Sequence, residues 1–299
     1  MSEQTAVGVG PAKMDIAYES LGNPSDPALV LIMGGGAQLV HWPQGFCDGL
    51  VERGFRVIRF DNRDSGHSTH LADAPAPDNM AAMGGDLSSA AYDLSDMAAD
   101  TVGLLDALEI GSAHLVGLSQ GGMIAQTVAA EHPQRVRSLT SMSSTTGNPA
   151  VGAAKPGAFG AGGPPPQDRD GYIAWRVTVT RALASPGFIF DEAAVRATAA
   201  RAYDRDHDFV SMMRQLIAVL ASGDRTAQLH AVQAPTLVVH GADDPVIDVS
   251  GGVATAAAIA GAELLVVDGL GHSLPRELWS EFADRIADLA HRADAGAQR

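Results

Sequence analysis

A serine lies where the sequence pattern changes from strand to helix. Residues 117–121 read Gly-Leu-Ser-Gln-Gly; they follow the apolar run His114–Val116 and precede a helical pattern over Gly122–Ala130. A tight turn between a strand and a helix is the setting that exposes a nucleophilic serine at the end of a sheet. Larger side chains two residues to either side would collide across that turn, which favours glycine there. The pattern predicts that Ser119 is a catalytic nucleophile.

A serine needs a base to take its proton, and histidine is the usual one. Of the ten histidines, His114 and His240 lie within predicted strands, where a buried core histidine is the simpler interpretation. His272 differs, because it ends the stretch Gly-Leu-Gly-His at 269–272, just after the last predicted strand. A loop at that place emerges at the carboxyl edge of a parallel sheet, where Ser119 also emerges. We predict that His272 is the base.

The base in turn needs a carboxylate to orient it and to stabilise its charged form. Asp243 and Asp244 directly follow the predicted strand Thr236–His240, and Asp248 and Asp268 are two further candidates. The residues themselves place the acid in this late part of the chain but leave the choice among the four open.

A cluster of three glycines follows an early strand. Residues 33–36 read Met-Gly-Gly-Gly and end the apolar run Ala28–Met33. Backbone N–H groups without side chains can approach a substrate oxygen, so one oxyanion donor would come from this loop and another from Gln120, the residue after the serine. A phosphate cradle is the alternative, but the segment fits neither dinucleotide-binding nor P-loop spacing.

Predicted strands and predicted helices alternate along the first half of the chain. This alternation predicts a mostly parallel sheet with helices on both faces. Predicted strands are Ile16–Leu21, Ala28–Met33, Arg56–Phe60, Ala113–Leu118 and Ser138–Ser143. Predicted helices are Gly45–Glu52, Leu94–Leu108 with Ser95 as its cap, and Gly122–Glu131.

The alternation stops near residue 147. Residues 152–166 are Gly, Ala or Pro at 13 of 15 positions, which predicts a flexible segment without regular structure. The predicted helices after this segment are Tyr172–Ala184, Asp191–Arg205, Asp208–Ala221, Gly251–Ala260 and Arg276–His291. The predicted strands are Thr236–His240 and Leu264–Val267. We therefore expect a core of residues 1–146 and 228–299 with a helical cap at 147–227.

Composition narrows the range of partners. The 299 residues include 35 Asp and Glu against 20 Lys and Arg, a formal net charge of −15, with 46% hydrophobic residues. A chain with this negative net charge repels the negatively charged phosphate backbone of DNA or RNA, so we expect no nucleic-acid partner. No paired cysteines, His-Glu-x-x-His segment or carboxylate cluster marks a metal site, and we expect no cofactor.

The chain shows no membrane or export signal. Its longest apolar runs, Ala28–Met33 and Leu216–Ala221, have six residues each, whereas about 20 are needed to span a bilayer. The first residues lack the charged and apolar regions of a signal peptide, and the single Cys47 allows no internal disulfide. We expect a cytoplasmic protein with no membrane partner, and the oligomeric state is left open.

Taken together, these motifs resemble the α/β-hydrolase superfamily from about Ile16 to His291. The resemblance implies an α/β fold with a mostly parallel central sheet, flanking helices and a helical cap. It implies Ser119 as nucleophile, His272 as base and Asp244 as acid, because the family's acid usually stands three residues after the glycine, here Gly241. It also implies that the backbone N–H groups of Gly35 and Gln120 form the oxyanion hole.

One departure from the family points to a subgroup. Many members have His-Gly where this chain has Met33-Gly34, and Met-Gly-Gly with Trp42-Pro43 downstream resembles the aclacinomycin methylesterase group, which demethylates a polyketide ester. The resemblance implies a serine hydrolase that cleaves a small-molecule carboxylic ester through an acyl-enzyme. A perhydrolase or cofactor-free haloperoxidase, a carbon–carbon bond hydrolase and a non-catalytic receptor are the alternatives.

Two further groups of side chains have expected roles. Asp61 and Arg63, in the polar segment Asp61–Ser68, are expected to tie loops together beneath the site. The helical cap at 147–227, which is inserted between the two parts of the predicted core, carries large apolar side chains. They are candidates for a substrate pocket or for the core of this insertion, and they are Phe159, Tyr172, Trp175, Phe188, Phe190, Met212 and Met213.

Overall fold

The computed structural model describes residues 2–158 and 160–297. The strands are β1 (Gln4–Val9), β2 (Met14–Leu21), β3 (Ala28–Ile32), β4 (Arg56–Phe60), β5 (Ala113–Leu118), β6 (Val136–Met142), β7 (Thr236–Gly241) and β8 (Glu263–Val267). The α-helices are α1 (Gln44–Glu52), α2 (Asn79–Met83), α3 (Leu94–Ala107), α4 (Gln120–Glu131), α5 (Arg169–Ala182), α6 (Glu192–Arg205), α7 (Phe209–Ser222), α8 (Thr226–Leu229), α9 (Val249–Ala258) and α10 (Trp279–Ala297).

The strands form one sheet in the spatial order β1-β2-β4-β3-β5-β6-β7-β8. All neighbours from β4 to β8 are parallel, whereas β1 pairs antiparallel with β2, and β2 pairs antiparallel with β4. The register aligns Ile32 with Gly117 and Gly117 with Ser141, so the carboxyl ends of β3, β5 and β6 lie side by side. This confirms the predicted mostly parallel α/β sheet.

The core has two layers, one on each face of the sheet. Along β3, Val30 and Ile32 pack with residues of α3 and α4, whereas Leu29 and Leu31 pack with residues of α1 and α10. The central strands are buried on both faces, which explains why they read as continuous apolar runs rather than alternating ones.

Four α-helices, α5 to α8, lie between β6 and β7 within the described residues, and three of them match the predicted helices to within a few residues. The described part of 152–166 contains no helix or strand. The flexibility of that segment and the division into core and cap stay predictions. Within the described residues, no helix is both long and apolar enough to cross a membrane.

One local prediction was wrong, and one strand was missed. The predicted cap Ser95 is not the N-cap of α3; Asp93 is, and its carboxylate accepts hydrogen bonds from the backbone N–H groups of Ser95 and Asp96 at 2.8 and 3.1 Å. The Ser95 hydroxyl instead donates to Glu131. Strand β1 was not predicted, because its side chains are largely exposed and its pattern is weakly apolar.

Buried ion pairs tie the inserted helices to the polar segment 61–68. Arg214 of α7 donates two hydrogen bonds to Asp64, whose side chain is fully buried, and Arg205 of α6 pairs with Asp61. Asp61 also accepts from the backbone N–H of Leu39 at 2.6 Å. These contacts join the insertion to two core loops.

The expected role of Arg63 matches its contacts. Its guanidinium donates to both carboxylate oxygens of Asp100 in α3, at 2.6 and 2.7 Å, and to the backbone carbonyl of Asp96. A bidentate pair of this kind fixes the orientation of both partners. Arg63 therefore anchors the polar segment to α3.

Replacing Arg214 by Met should leave the Asp64 carboxylate buried without its charged partner. We expect the free energy of unfolding to fall by about 3–5 kcal/mol, measured by urea unfolding. Arg169→Met is the matched control, since Arg169 pairs with Asp204 at the exposed surface and its loss should change stability little. Equal stabilities of the two variants would contradict this account of how the insertion is held.

Candidate active site

Ser119 occupies a strained turn between β5 and α4. Its backbone has φ 57° and ψ −122°, a conformation that residues with side chains rarely adopt. A Cβ on Gly117 would overlap the Gly121 carbonyl, and a Cβ on Gly121 would overlap the Ile32 carbonyl. The two glycines therefore let the chain reverse tightly and expose the serine, as the sequence pattern predicted.

The glycine loop after β3 lies against this turn. A Cβ on Gly34 would come within 3.1 Å of the Ser119 Cβ, and one on Gly35 within 2.8 Å of the Gln120 side-chain oxygen Oε1. Among the described residues, the backbone N–H groups of Gly35 and Gln120 find no hydrogen-bond acceptor. Unpaired N–H groups beside a nucleophile are what an oxyanion hole requires.

His272 and Asp244 are hydrogen-bonded, with 2.7 Å between Nδ1 and Oδ2. Asp244 is buried, at 1% exposure, and follows β7; His272 lies in the loop after β8. Because the carboxylate can only accept, Nδ1 carries the proton and Nε2 is left as the basic nitrogen. The pair has the geometry by which a carboxylate orients a general base.

The charge state of Asp244 follows from its contacts. Burial acts to raise the pKa of its carboxyl group, but the hydrogen bond from His272 and those from the backbone N–H groups of Ile247 and Val246 outweigh burial and lower the pKa below its usual value. Asp244 is therefore ionised near neutral pH and can stabilise a protonated His272.

Two of the three other candidate carboxylates, Asp243 and Asp248, have structural partners, and the third, Asp268, is exposed. Asp243 accepts a hydrogen bond from the backbone N–H of Gly269, and its own N–H donates to Leu270. Asp248 caps α9 through the N–H of Ser250. The structure thus joins His272 to Asp244, the residue that the resemblance favoured, and uses the neighbouring Asp243 to brace the loop that carries His272.

Ser119 and His272 emerge at the same edge of the sheet, since β5, β7 and β8 run parallel. Among the described residues, no hydrogen bond joins the Ser119 hydroxyl to His272. The structure therefore brings together His272 and Asp244, and separately Ser119 and the glycine loop. The pairing of Ser119 with His272 stays a prediction.

A short stretch after α5, residues 183–187, holds the loop of His272 and was not singled out from the sequence. The N–H of His272 donates to the Leu183 carbonyl at 3.0 Å, and that of Gly271 donates to the Ser185 hydroxyl at 2.9 Å. Gly187 and Gly269 pack with their backbones in contact. Gly187 follows Pro186, and such a Pro-Gly pair marks only a turn, so the contact could not be inferred.

A second Ser–His–Asp series lies toward the amino ends of the strands. His114 Nδ1 is 2.9 Å from the Ser138 hydroxyl, and its Nε2 is 3.3 Å from Asp294. Burial lowers the pKa of His114 to about 4, and both His114 and Ser138 are buried away from substrate. This series is a core contact, as expected for a strand histidine. His240 is likewise buried, with Nε2 bonded to the Ile247 carbonyl.

The apolar candidates of the insertion separate into different places. Tyr172, Trp175 and Met212 line a cleft that also contacts Gly36 of the glycine loop. Phe188 packs on the core layer of α1 and α10, and Phe190 lies under the Arg181 guanidinium. Phe159 lies outside the described residues. Within the described residues, no three His, Cys, Asp or Glu side chains gather as metal ligands.

Residues 27–275 match the family described as alpha/beta hydrolase fold. The chain belongs to this family. Rhodomycin D methylesterase from Streptomyces peucetius is 28% identical over 297 residues, covering 90% of this chain and 92% of the relative. A 2-hydroxymuconate semialdehyde hydrolase from Pseudomonas sp. strain CF600 is 29% identical over 282 residues, covering 90% and 88%.

Among solved structures, a meta-cleavage product hydrolase from Pseudomonas fluorescens IP01 has a TM-score of 0.73 at 20% identity, covering 97% of this chain and 98% of its own. Together with the family match, this confirms the predicted α/β-hydrolase fold.

From the tight turn at Ser119 we predict how a substitution at Gly121 changes the free energy of unfolding. Gly121→Ala should lower the free energy of unfolding by about 3 kcal/mol or more, because the added methyl group overlaps the backbone of β3. Gly111→Ala is the matched control, because nothing lies within 4 Å of its added Cβ, and it should change stability by less than about 1 kcal/mol. Urea unfolding measures both, and a Gly121→Ala protein as stable as the control would contradict the tight turn.

Proposed function

We propose that this protein is a serine esterase in which Ser119, His272 and Asp244 act as a catalytic triad. The carboxylate of Asp244 holds the proton of His272 on Nδ1, which leaves Nε2 to accept the proton of the Ser119 hydroxyl. The Ser119 oxygen then attacks the ester carbonyl carbon. The backbone N–H groups of Gly35 and Gln120 receive the negative charge that develops on the carbonyl oxygen.

The reaction continues through an acyl-enzyme. His272 returns the proton to the leaving alcohol oxygen as the bond between that oxygen and the carbonyl carbon breaks. A water molecule, deprotonated by Nε2 of the same histidine, attacks the acyl carbon and forms a second oxyanion in the same hole. When that intermediate collapses, the bond between the acyl carbon and the Ser119 oxygen breaks, the Ser119 oxygen takes the proton back from Nε2 of His272, and the carboxylic acid is released.

The observation that carries this proposal is the 2.7 Å hydrogen bond between His272 and buried Asp244, at the sheet edge where Ser119 lies in its strained turn. A histidine with one nitrogen committed to a carboxylate and the other available is prepared for base catalysis. The two unpaired backbone N–H groups beside Ser119 supply the complementary electrophilic site.

For the substrate, we propose a methyl ester of a large polyketide-like acid. The methylesterase relative, matched over 90% of this chain, supports this class. The cleft beside the glycine loop is lined by Tyr172, Trp175 and Met212 together with charged side chains such as Asp64 and Arg176, so it offers both apolar and polar surface to a substrate. Cytoplasmic location and the absence of nucleic-acid and membrane partners stay expectations from the sequence.

A carbon–carbon bond hydrolase is the second candidate, because the relative named 2-hydroxymuconate semialdehyde hydrolase, whose named substrate carries no ester, also covers 90% of this chain. A panel of aromatic methyl esters, short-chain aryl esters and vinylogous diketones separates the two, with added peroxide to detect peracid formation. We expect the highest kcat/KM on an aromatic methyl ester. Faster cleavage of a diketone, or preferential peracid formation, would replace the esterase assignment by the corresponding alternative.

Ser119→Ala should lower kcat for the preferred ester by about 10^6-fold, since the nucleophile is lost, with little change in the unfolding transition. Ser138→Ala is the matched control, because Ser138 also bonds a histidine but is buried in the core, and it should keep native turnover. Near-native esterase activity of Ser119→Ala would remove the proposed function.

Asp244→Asn should lower kcat by about 10^4-fold, because an amide that donates to Nδ1 stabilises the wrong tautomer of His272. Asp243→Asn should stay close to the native rate, because an amide oxygen can still accept from the Gly269 N–H. Steady-state kinetics of the two variants compare the neighbouring carboxylates directly, and the larger loss at Asp243 would shift the acid by one position.

A further inference from the structure

Gln215, on α7 of the insertion, bridges two core loops beside the proposed oxyanion hole. Its side-chain oxygen accepts from the backbone N–H of Gly36 at 2.7 Å, and its side-chain nitrogen donates to the Arg63 carbonyl at 2.7 Å. The residue is 1% exposed. Only one orientation of the amide satisfies both contacts, because an N–H must meet an oxygen and a carbonyl must meet an N–H.

The same residue also contacts the other side of the hole. Its backbone carbonyl accepts from the side-chain amide of Gln120 at 2.9 Å. Gln120 follows the nucleophile and supplies one proposed oxyanion donor. A single helical residue is thus bonded to both segments that would bind the oxyanion.

The glycine loop has little freedom at this point. Gly36 has φ 65°, in the left-handed region, and Met212 fills the place where a side chain on Gly36 would lie. With its N–H committed to Gln215, Gly36 cannot turn toward substrate. Among the described residues, the N–H of the neighbouring Gly35 has no hydrogen-bond acceptor.

We propose that Gln215 is a positioning residue that holds the N–H groups of Gly35 and Gln120 in place for the oxyanion. This inference rests on the proposed esterase function and adds a residue of the insertion to its machinery. Oxyanion donors act because they are aimed before the reaction begins, and a displacement of about 1 Å can cost on the order of 100-fold in rate.

The attachment of α7 to the core does not depend on this amide. Arg214, the preceding residue, already joins the helix to buried Asp64 through two hydrogen bonds. Loss of the Gln215 side chain should therefore leave the helix docked while it frees Gly36 and Arg63. A catalytic effect larger than the stability effect is the expected signature.

The test compares native enzyme with Gln215→Met, which keeps the volume of the side chain and removes both side-chain hydrogen bonds, whereas the backbone carbonyl still accepts from Gln120. We expect kcat for an aryl ester to fall by about 100-fold with KM changed by less than about threefold. The decisive readout is the ratio of kcat/KM for an ester to that for the thionoester with identical acyl and leaving groups. Sulfur accepts hydrogen bonds weakly, so a disordered hole should lower this ratio by about tenfold.

Gln126→Met is the matched control, since Gln126 is equally buried and its amide bonds Ser141 and Arg225, away from the hole. It should lower stability while the ester-to-thionoester ratio stays native, because a smaller folded fraction scales both substrates equally. Should Gln215→Met fail to fold, Gln215→Asn gives the same test with an amide too short to bridge both contacts.

An unchanged ratio in the Gln215 variant, with Ser119 still essential, would overturn the role of Gln215 alone. Activity that survives in Ser119→Ala would instead overturn the proposed function. The two failures are therefore distinguished by separate variants.

Discussion

The hydrogen bond between His272 and Asp244 is the interaction on which the proposed chemistry depends. It fixes the proton of the imidazole on one nitrogen and keeps a carboxylate ionised inside the protein, where burial alone would favour its neutral form. Two backbone N–H groups from the same loop, those of Val246 and Ile247, share the charge of Asp244. The bond is thus supported by the loop that carries the acid.

Much of the surrounding structure holds in place the loops that carry His272, Asp244 and the three glycines. The parallel sheet brings the loops after β5, β7 and β8 to one edge, and the insertion then braces them. Residues 183–187 hold the loop of His272, Gln215 holds the glycine loop, and Arg205 and Arg214 attach their helices to buried carboxylates. The insertion is consequently part of the scaffold of the site as well as one wall of the cleft.

The sequence predicts those parts of the molecule that have local causes. Buried parallel strands read as short apolar runs, so β3 to β7 were recognisable, and the partly exposed β8 still carries the apolar run Leu264–Val267. The Gly-Leu-Ser-Gln-Gly turn carries its own steric explanation, which made Ser119 recognisable. His272 could be selected because it follows the last strand. The choice of Asp244 over Asp243 needed the family resemblance, since two adjacent carboxylates on one loop have the same local pattern. The predicted N-cap of α3 was wrong for a related reason, because Asp93 and Ser95 are both residue types that favour a helix N-terminus.

Contacts between distant residues lie outside such reasoning. Gln215 and Gly36 are 179 positions apart, and Arg214 and Asp64 are 150 apart. Their only local signal is that Arg214 and Gln215 interrupt an otherwise apolar helix, which indicates buried polar partners without identifying them. Strand β1 is largely exposed, and so lacks the apolar run that identifies the central strands.

The most direct test of the central claim is covalent labelling with a fluorophosphonate, followed by peptide mapping by mass spectrometry. Such a reagent reacts with a serine whose hydroxyl is activated by a neighbouring base and whose adduct is stabilised by an oxyanion hole. We expect one adduct, on Ser119, and its loss in His272→Ala. An adduct on a different serine, or an unlabelled Ser119 in enzyme that still turns over ester, would contradict the triad.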